Sequence, residues 1–133
     1  METTASLKNV RLSPRKIRLI TDLIKGMNVA EAVIQLQFSR KHAARTVLKL
    51  LRSALANAKH NHDLKPESLM IKNAFVDGGA ILYRWMPRAM GRATPLRKRT
   101  AHVTIILSGE GEVRAADKTV RDTETIESTP TAQ

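Results

Sequence analysis

The sequence predicts an α+β fold, with three helices packed on a small three-stranded antiparallel sheet and a long protruding β-hairpin. Three observations support this prediction. Apolar residues recur at helical spacing through the first half of the chain. After residue 68 the apolar residues follow the pattern of strands instead. Between two strand-like segments lies an arginine-rich stretch interrupted by proline and glycine, which suits an exposed ribbon better than a central strand.

The first two predicted helices each have a start signal and an apolar side. Ser13-Pro14 is typical of an N-cap followed by proline at the first helical position, and Gly26 is a suitable end. Asn28 can cap a short second helix. The expected apolar stripe of the first helix is Ile17, Ile20, Leu23 and Ile24, and that of the second is Ala30, Val33, Ile34 and Phe38.

The third helix is expected from about residue 40 to 61, with Ser39 as its cap. Its predicted buried stripe consists of Ala44, Val47, Leu48, Leu51, Ala54, Leu55 and Ala58. A neighbouring arc carries Lys41, Arg45, Lys49, Arg52 and Lys59. This arc is either an ordinary solvated flank or a surface that faces phosphate groups, and the pattern alone leaves both possibilities open.

Strands are predicted from Leu69 to Val76 and around Val103, Ile105 and Leu107, and the run Leu7–Leu12 can supply a third. Residues 1–109 are therefore expected to form one domain. Residues 110–133 are rich in threonine, glutamate and alanine, with few large apolar side chains, so we predict a flexible acidic tail there.

Charge is distributed unevenly along the chain. Residues 1–109 hold 20 basic and 6 acidic residues, a net charge of +14, whereas residues 110–133 have a net charge of −3. A domain this basic indicates a polyanionic partner, although a merely soluble basic protein is the alternative. No apolar run approaches the roughly 20 residues that span a bilayer, no secretion signal opens the chain, and there is no cysteine. We therefore predict no membrane association and a cytoplasmic location.

The strongest chemical signal is the hairpin, expected at about residues 78–104. No acidic residue occurs between Asp77 and Glu110, and the same interval holds Arg84, Arg88, Arg92, Arg97, Lys98 and Arg99. An isolated two-stranded ribbon is marginally stable in water, and this one also repels itself. It makes physical sense if a polyanion surrounds it, because the guanidinium fork grips phosphate and stacks on bases. Tyr83 and Trp85 can stack on bases or pack near the ribbon's root.

Other chemistry is not expected. His60 and His62 lack a third ligand at useful spacing, so no metal site is predicted. The glycine pairs do not open helices and so do not cradle phosphates. No catalytic constellation is present, and we predict a protein that is not an enzyme and has no cofactor.

Several motifs resemble the large-subunit ribosomal protein twenty-two family. The segment Leu7-Lys8-Asn9-Val10-Arg11-Leu12-Ser13-Pro14-Arg15-Lys16-Ile17-Arg18-Leu19 is similar to that family's opening strand and first helix, and Ser53-Ala54-Leu55-Ala56-Asn57-Ala58 to its long-helix motif. The most specific motifs are Met86-Pro87-Arg88-Ala89-Met90-Gly91-Arg92-Ala93 and Lys98-Arg99-Thr100-Ala101-His102-Val103-Thr104. Tyr83 and Met90 stand where many bacterial members of the family have basic residues.

The resemblance implies a structural protein that binds 23S ribosomal RNA, supports assembly of the large subunit and lines the nascent-peptide exit tunnel. The hairpin tip would contact the nascent peptide opposite a loop of ribosomal protein four, and it consists of Met90, Gly91, Arg92 and Ala93. Other large-subunit proteins would also be partners. The predicted RNA contacts are Lys8, Arg11, Arg15, Lys16, Arg18, Arg84, Arg88, Arg92, Arg97, Lys98, Arg99 and His102.

Two other classes of function remain as alternatives. An architectural DNA-binding protein would use a basic β-arm with proline wedges, and Pro87 and Pro95 permit that. A helix-turn-helix regulator would use the three helices but leave the basic ribbon unexplained.

Overall fold

The computed structural model describes residues 1–64 and 66–109. The elements in chain order are strand β1 (Glu2–Val10), helices α1 (Pro14–Ile24), α2 (Val29–Phe38) and α3 (His42–His62), strand β2 (Met70–Pro87) and strand β3 (Ala93–Ser108). Single turns at Pro66–Ser68 and Ala89–Gly91 precede β2 and β3. The helices pack on one antiparallel sheet, so the predicted α+β class is confirmed. The predicted flexible tail lies outside the described residues.

β3 is the central strand of the sheet, with β1 on one side and β2 on the other. β1 pairs with β3 from Glu2↔Ser108 to Val10↔Ala101, whereas β2 follows β3 from Ser108 to the pair Pro87↔Ala93. The third strand is thus present, but it begins five residues before the predicted Leu7 because the pairing with β3 extends it. Because β1 pairs with β3 only as far as Ala101, β2 and β3 form a two-stranded ribbon at residues 79–100. The sequence had indicated a hairpin at about 78–104.

α1 buries Ile17, Ile20 and Ile24 as predicted, but Leu23 is half exposed. Leu23 lies about 120° around the helix from Ile17, at 100° per residue. The buried face is completed instead by Thr21, whose hydroxyl donates to the Arg18 carbonyl at 3.1 Å. This intrahelical bond lets a polar residue occupy the core side without an unsatisfied group.

The predicted face of α2 is wrong. Val29, Ala32 and Leu36 are buried, whereas Ile34 and Phe38 are exposed, Phe38 to 82%. Seven of the ten residues of this helix are apolar and they cover most of its circumference, so its sequence offers two candidate faces. Tertiary contacts choose between them: the Val29 N–H donates to the Leu69 carbonyl at 3.0 Å, which fixes the helix against the start of β2. The predicted Asn28 cap is present, accepting from the Ala30 N–H at 3.1 Å.

α3 supplies the largest helical share of the core. Most of its predicted stripe is buried, while Leu48 and Leu55 lie at the margin, partly buried. Leu51 is 0% exposed, and truncating such a leucine to alanine typically costs about 2–5 kcal/mol. The helix begins at His42 rather than at residue 40, and Lys41 occupies the N-cap position that we had expected for Ser39. Ser39 ends α2 instead.

Two β-bulges mark the point where the ribbon leaves the sheet. Lys8 and Asn9 of β1 both lie opposite His102, and Gly79 and Ala80 of β2 both lie opposite Thr100. Bulges bend and twist a strand, so this pair sets the direction of the ribbon relative to the helices. Beyond them the ribbon extends for seven residue pairs, from Ile81↔Arg99 to Pro87↔Ala93. Its length is roughly 23 Å at ~3.3 Å per residue.

The ribbon ends in a tight turn. The Arg92 N–H donates to the Ala89 carbonyl at 3.4 Å, and the Arg88 N–H donates to the Arg92 carbonyl at 2.8 Å. Met90 and Gly91 have φ values of 60° and 67°. Two consecutive positive φ values are those of a type I′ turn, whose twist matches that of the flanking strands.

Candidate nucleic-acid interface

The ribbon has two faces of different composition. Strand alternation and the observed register define an aromatic face made of Ile81, Tyr83, Trp85 and Pro87 on β2 with Ala93, Pro95, Arg97 and Arg99 on β3. The opposite, aliphatic face is made of Leu82, Arg84 and Met86 with Thr94, Leu96 and Lys98. Every residue from Leu82 to Arg99 is exposed. The ribbon therefore presents both apolar and cationic groups to its surroundings on each side.

All six predicted ribbon cations lie on this exposed part, and none has a carboxylate partner there, because residues 79–100 contain no acid. Arg84 donates to the Tyr83 carbonyl at 2.8 Å, and Arg88 is 3.4 Å from the Thr94 hydroxyl. Arg88 and Arg92 flank the tip turn. Cations so closely spaced repel one another in solution, which favours an anionic partner at close range.

The tip combines backbone strain with exposure. Met90 is 94% exposed and adopts a left-handed conformation that costs a non-glycine residue about 1–2 kcal/mol. Gly91 adopts the same conformation without this cost. The left-handed conformation of Met90 forms the turn that closes the ribbon and leaves its side chain exposed at the tip.

A second group of cations lines a cleft between β1 and α3. The cleft has a volume of about 570 Å³, and Lys8, Arg45 and Lys49 lie along its walls. Leu7, Val10 and Leu50 supply its apolar lining. The bulge in β1 contributes Lys8, and one side of α3 contributes the other two cations at i,i+4 spacing. The cleft can thus receive phosphates and an apolar ring together.

The N-terminal ends of α1 and α3 form a smaller pocket of about 320 Å³, lined by Leu12, Lys16, Leu19, Lys41, His42 and Ala43. Arg15 and Lys16 also line a depression beside it. Neither helix has a side-chain cap or an acidic residue in its first turn, unlike α2 with Asn28 and Glu31. Helix N-termini favour anions, so cations there make this edge strongly attractive to phosphate.

Two predicted RNA contacts have structural roles in this fold. Arg18 donates from Nε and Nη2 to the Val76 carbonyl, at 3.2 and 2.9 Å, which ties α1 to β2. His102 accepts the Asn9 N–H on its Nδ1 at 3.0 Å and so stabilises the bulge of β1. Arg11 is exposed just after β1. The contacts of these three residues with RNA, like those of the other predicted RNA-binding residues, stay predictions.

The basic surface is almost free of internal neutralisation. Among the described basic residues, only Lys25 and Lys72 form ion pairs, with Asp22 and Glu2 respectively. The hydrogen bond and charge of Lys72 lower the pKa of the Glu2 carboxyl below its ordinary value of 4.5. The other basic residues in the described ranges have no carboxylate partner among the described acids.

The basic arc of α3, which includes Lys41, Arg45 and Lys49, was not among the RNA-contact residues predicted from the sequence. Its i,i+4 spacing was visible in the sequence, but only the fold shows that Arg45 and Lys49 share a cleft with Lys8, and that Lys41 shares a pocket with Lys16. The described residues contain no group of three His, Asp or Glu side chains that could hold a metal ion. Within residues 1–64 and 66–109, every helix is too short or too polar to cross a bilayer.

Comparison with known proteins agrees with this arrangement. Residues 5–108 match the family described as ribosomal protein L22p/L17e. The large ribosomal subunit protein uL22 of Staphylococcus aureus strain JH9, and that of strain Newman, are each 44% identical to this chain over 117 residues, covering 87% of this chain and 100% of the relative. A match over most of both chains, together with the basic ribbon, leads to one conclusion: the protein belongs to the ribosomal protein L22p/L17e family.

Proposed function

We propose that this protein binds 23S ribosomal RNA, supports assembly of the large ribosomal subunit and lines the nascent-peptide exit tunnel with its hairpin tip. Family membership makes it a structural constituent of the large subunit, located in the cytoplasm as part of the ribosome. Membership of a ribosomal family also favours this function over the architectural DNA-binding and helix-turn-helix alternatives.

The observation that carries the proposal is the ribbon of residues 79–100. It has a net charge of +6 and no acidic residue. Among the described residues, no third strand pairs with it beyond Ala101 of β3. A ribbon of this kind gains little from its own contacts in water. A surrounding polyanion neutralises its charge and shields its apolar groups, and folded RNA supplies both phosphates and base surfaces.

The globular part is proposed to anchor the protein. Lys8, Arg45 and Lys49 in the cleft, with Lys16 and Lys41 at the helix ends, form a basic surface separate from the ribbon. Phosphate contacts on this surface position the domain, so that the bulged root can aim the ribbon in a fixed direction. Other large-subunit proteins, including ribosomal protein four near the constriction, are proposed neighbours of the tip.

The tip residues suit a wall better than a clamp. Met90 is uncharged, and Gly91 and Ala93 are small, so three of the four residues from 90 to 93 offer no cation to a phosphate. A nascent peptide passing such a wall meets few strong binding groups. Arg92 is the one charged group in this segment.

Salt-dependent RNA binding tests the anchoring step. Removing one cation that neutralises a phosphate should reduce the slope of log affinity against log salt by about 0.7–0.9. Lys49→Ala should do so in titrations with a 23S ribosomal RNA fragment. Lys25→Ala is the matched control, because Lys25 already pairs with Asp22 and should leave the slope nearly unchanged. Binding that is insensitive to salt would contradict the proposal.

A shortened ribbon tests the tunnel role. Replacing Pro87–Ala93 with Asn-Gly keeps the pair Met86↔Thr94 and closes the ribbon with a favourable type I′ turn. Cells carrying only this variant should yield normal large subunits that contain it, with altered nascent-chain stalling. The control Arg88→Gln/Arg92→Gln removes the same two charges but retains the length. Accumulation of precursor particles that lack the shortened protein would contradict the tunnel role. It would indicate that the tip is required for attachment of the protein to ribosomal RNA.

A further inference from the structure

The bulge at the ribbon's root determines which side chains share a face. In the observed register Tyr83 lies opposite Arg97, Trp85 opposite Pro95 and Ile81 opposite Arg99. The extra residue at Gly79–Ala80 shifts the alternation of β2 by one. Without it, the even-numbered residues of β2 would lie beside Arg97 and Arg99. Both exposed aromatic rings of the ribbon thus share a face with two arginines and no acid.

The described part of the chain leaves these rings uncovered. Trp85 is 71% exposed and Tyr83 is 53% exposed, on a segment beyond the last pair that β1 makes with β3. Aromatic side chains of this size usually lie in a core or an interface. The partner of this face must therefore offer flat apolar surface, and it must also be anionic, because the ribbon's net charge is +6.

We infer that the aromatic face of the ribbon is a stacking platform for unpaired nucleobases, with Arg97 and Arg99 directed at the neighbouring phosphates. This inference rests on the proposed function and names the part of the RNA that the face receives. Tyr83 and Trp85 are two residues apart on one side of β2, a separation of about 6.6 Å along the strand. Successive bases of a strand rise by ~3.4 Å, so the spacing admits one base between the two rings.

Unpaired bases fit better than a duplex. The rings need a free π-face, which paired bases within a helix do not offer, whereas bases in loops and bulges can splay out and stack on aromatic side chains. The aliphatic face lacks such rings, since its apolar members are Leu82, Met86 and Leu96. The two faces are therefore expected to differ in their response to RNA.

Trp85 provides a direct test because it is the single tryptophan of the chain. The full-length protein would be titrated with a short single-stranded oligoadenylate and with an abasic oligonucleotide of the same length and charge. The Trp85 fluorescence should be quenched by the first and nearly unchanged by the second. In a titration followed by the fluorescence anisotropy of a labelled oligoadenylate, Trp85→Ala should weaken binding about 5- to 150-fold. This change is equivalent to the ~1–3 kcal/mol that stacking of one base supplies.

Met86→Ala is the matched control, because Met86 is the next residue, is also exposed and lies on the opposite face. Met86→Ala should change the affinity for oligoadenylate by less than about twofold. Trp85→Phe should retain part of the affinity that Trp85→Ala loses, because phenylalanine can also stack on a base. Equal losses in Trp85→Ala and Met86→Ala, or binding without quenching, would overturn the stacking platform while leaving RNA binding in place. Failure of both oligonucleotides to bind at low salt would overturn the proposed function and this inference with it.

Discussion

Gly79→Ala is the most informative single substitution at the root of the ribbon. A Cβ at this position would overlap the hydroxyl oxygen of Thr100 and lie 3.1 Å from the Cε1 and Nε2 atoms of His102. Thr100 is 6% exposed, and its hydroxyl donates to the Ala80 carbonyl at 2.6 Å. His102 is held by the Asn9 N–H. The clash therefore cannot be relieved by moving a free side chain.

The magnitude follows from the two ways of relieving this clash. Rotating the buried Thr100 hydroxyl away leaves it without its hydrogen bond, which costs about 1–3 kcal/mol. Shifting the strands costs about 1–3 kcal/mol, as overpacking usually does. Alanine restricts the unfolded chain and returns about 0.4–1 kcal/mol. We expect a net loss of about 1–2 kcal/mol in the free energy of unfolding, or roughly 4–16 °C in Tm for a domain of this size.

Gly78→Ala is the matched control for this experiment. Nothing lies within 4 Å of a Cβ at Gly78, and neither glycine has a positive φ. Urea and thermal unfolding should therefore find Gly78→Ala as stable as the parent or slightly more stable. In Gly79→Ala, the additional change Thr100→Ala removes the overlapping oxygen and should recover part of the loss. Equal stabilities of Gly78→Ala and Gly79→Ala would refute the steric argument.

Three further predictions concern the sheet and the tail. Thr3→Val should raise the free energy of unfolding by about 1 kcal/mol in urea titrations, because the buried Thr3 hydroxyl lacks a hydrogen-bond partner among the described residues; a loss of stability would contradict this. Since Lys72 lowers the pKa of Glu2, this pair should stabilise the fold above the unfolded carboxyl pKa and lose that contribution as pH falls through the folded one. Glu2→Gln should therefore flatten the pH dependence of the urea midpoint below about pH 5, and an unchanged profile would argue against the pair. Truncation after Gly109 keeps the bonds between Gly109 and Met1 and should leave Tm within about 2 °C of the parent, whereas a larger fall would show that residues 110–133 stabilise the domain.

Features that depend on local patterns could be predicted from the amino-acid sequence. Periodic apolar residues predicted α1 and α3, because one face of a helix must be buried and the spacing of 3.6 residues reveals it. Asn28 predicted the start of α2. The six cations between Asp77 and Glu110, with no acidic residue among them, predicted an exposed ribbon that binds a polyanion. Charged residues and prolines are both unsuited to a buried central strand.

Features that depend on pairing between distant parts of the chain could not be predicted in this way. The buried face of α2 could not be chosen from the sequence, because apolar residues cover most of the helix circumference. The hydrogen bond from Val29 to Leu69 fixes which side packs on the sheet. β1 extends to Glu2 because it pairs with β3. The partner residues are about a hundred positions away along the chain, so the local sequence around Glu2 does not indicate this pairing. The same applies to the bulges at Lys8–Asn9 and Gly79–Ala80. The second of them places Tyr83 and Trp85 on the same face as Arg97 and Arg99. A one-residue shift in register moves every side chain of a strand to the other face, and such a shift leaves no trace in the local sequence.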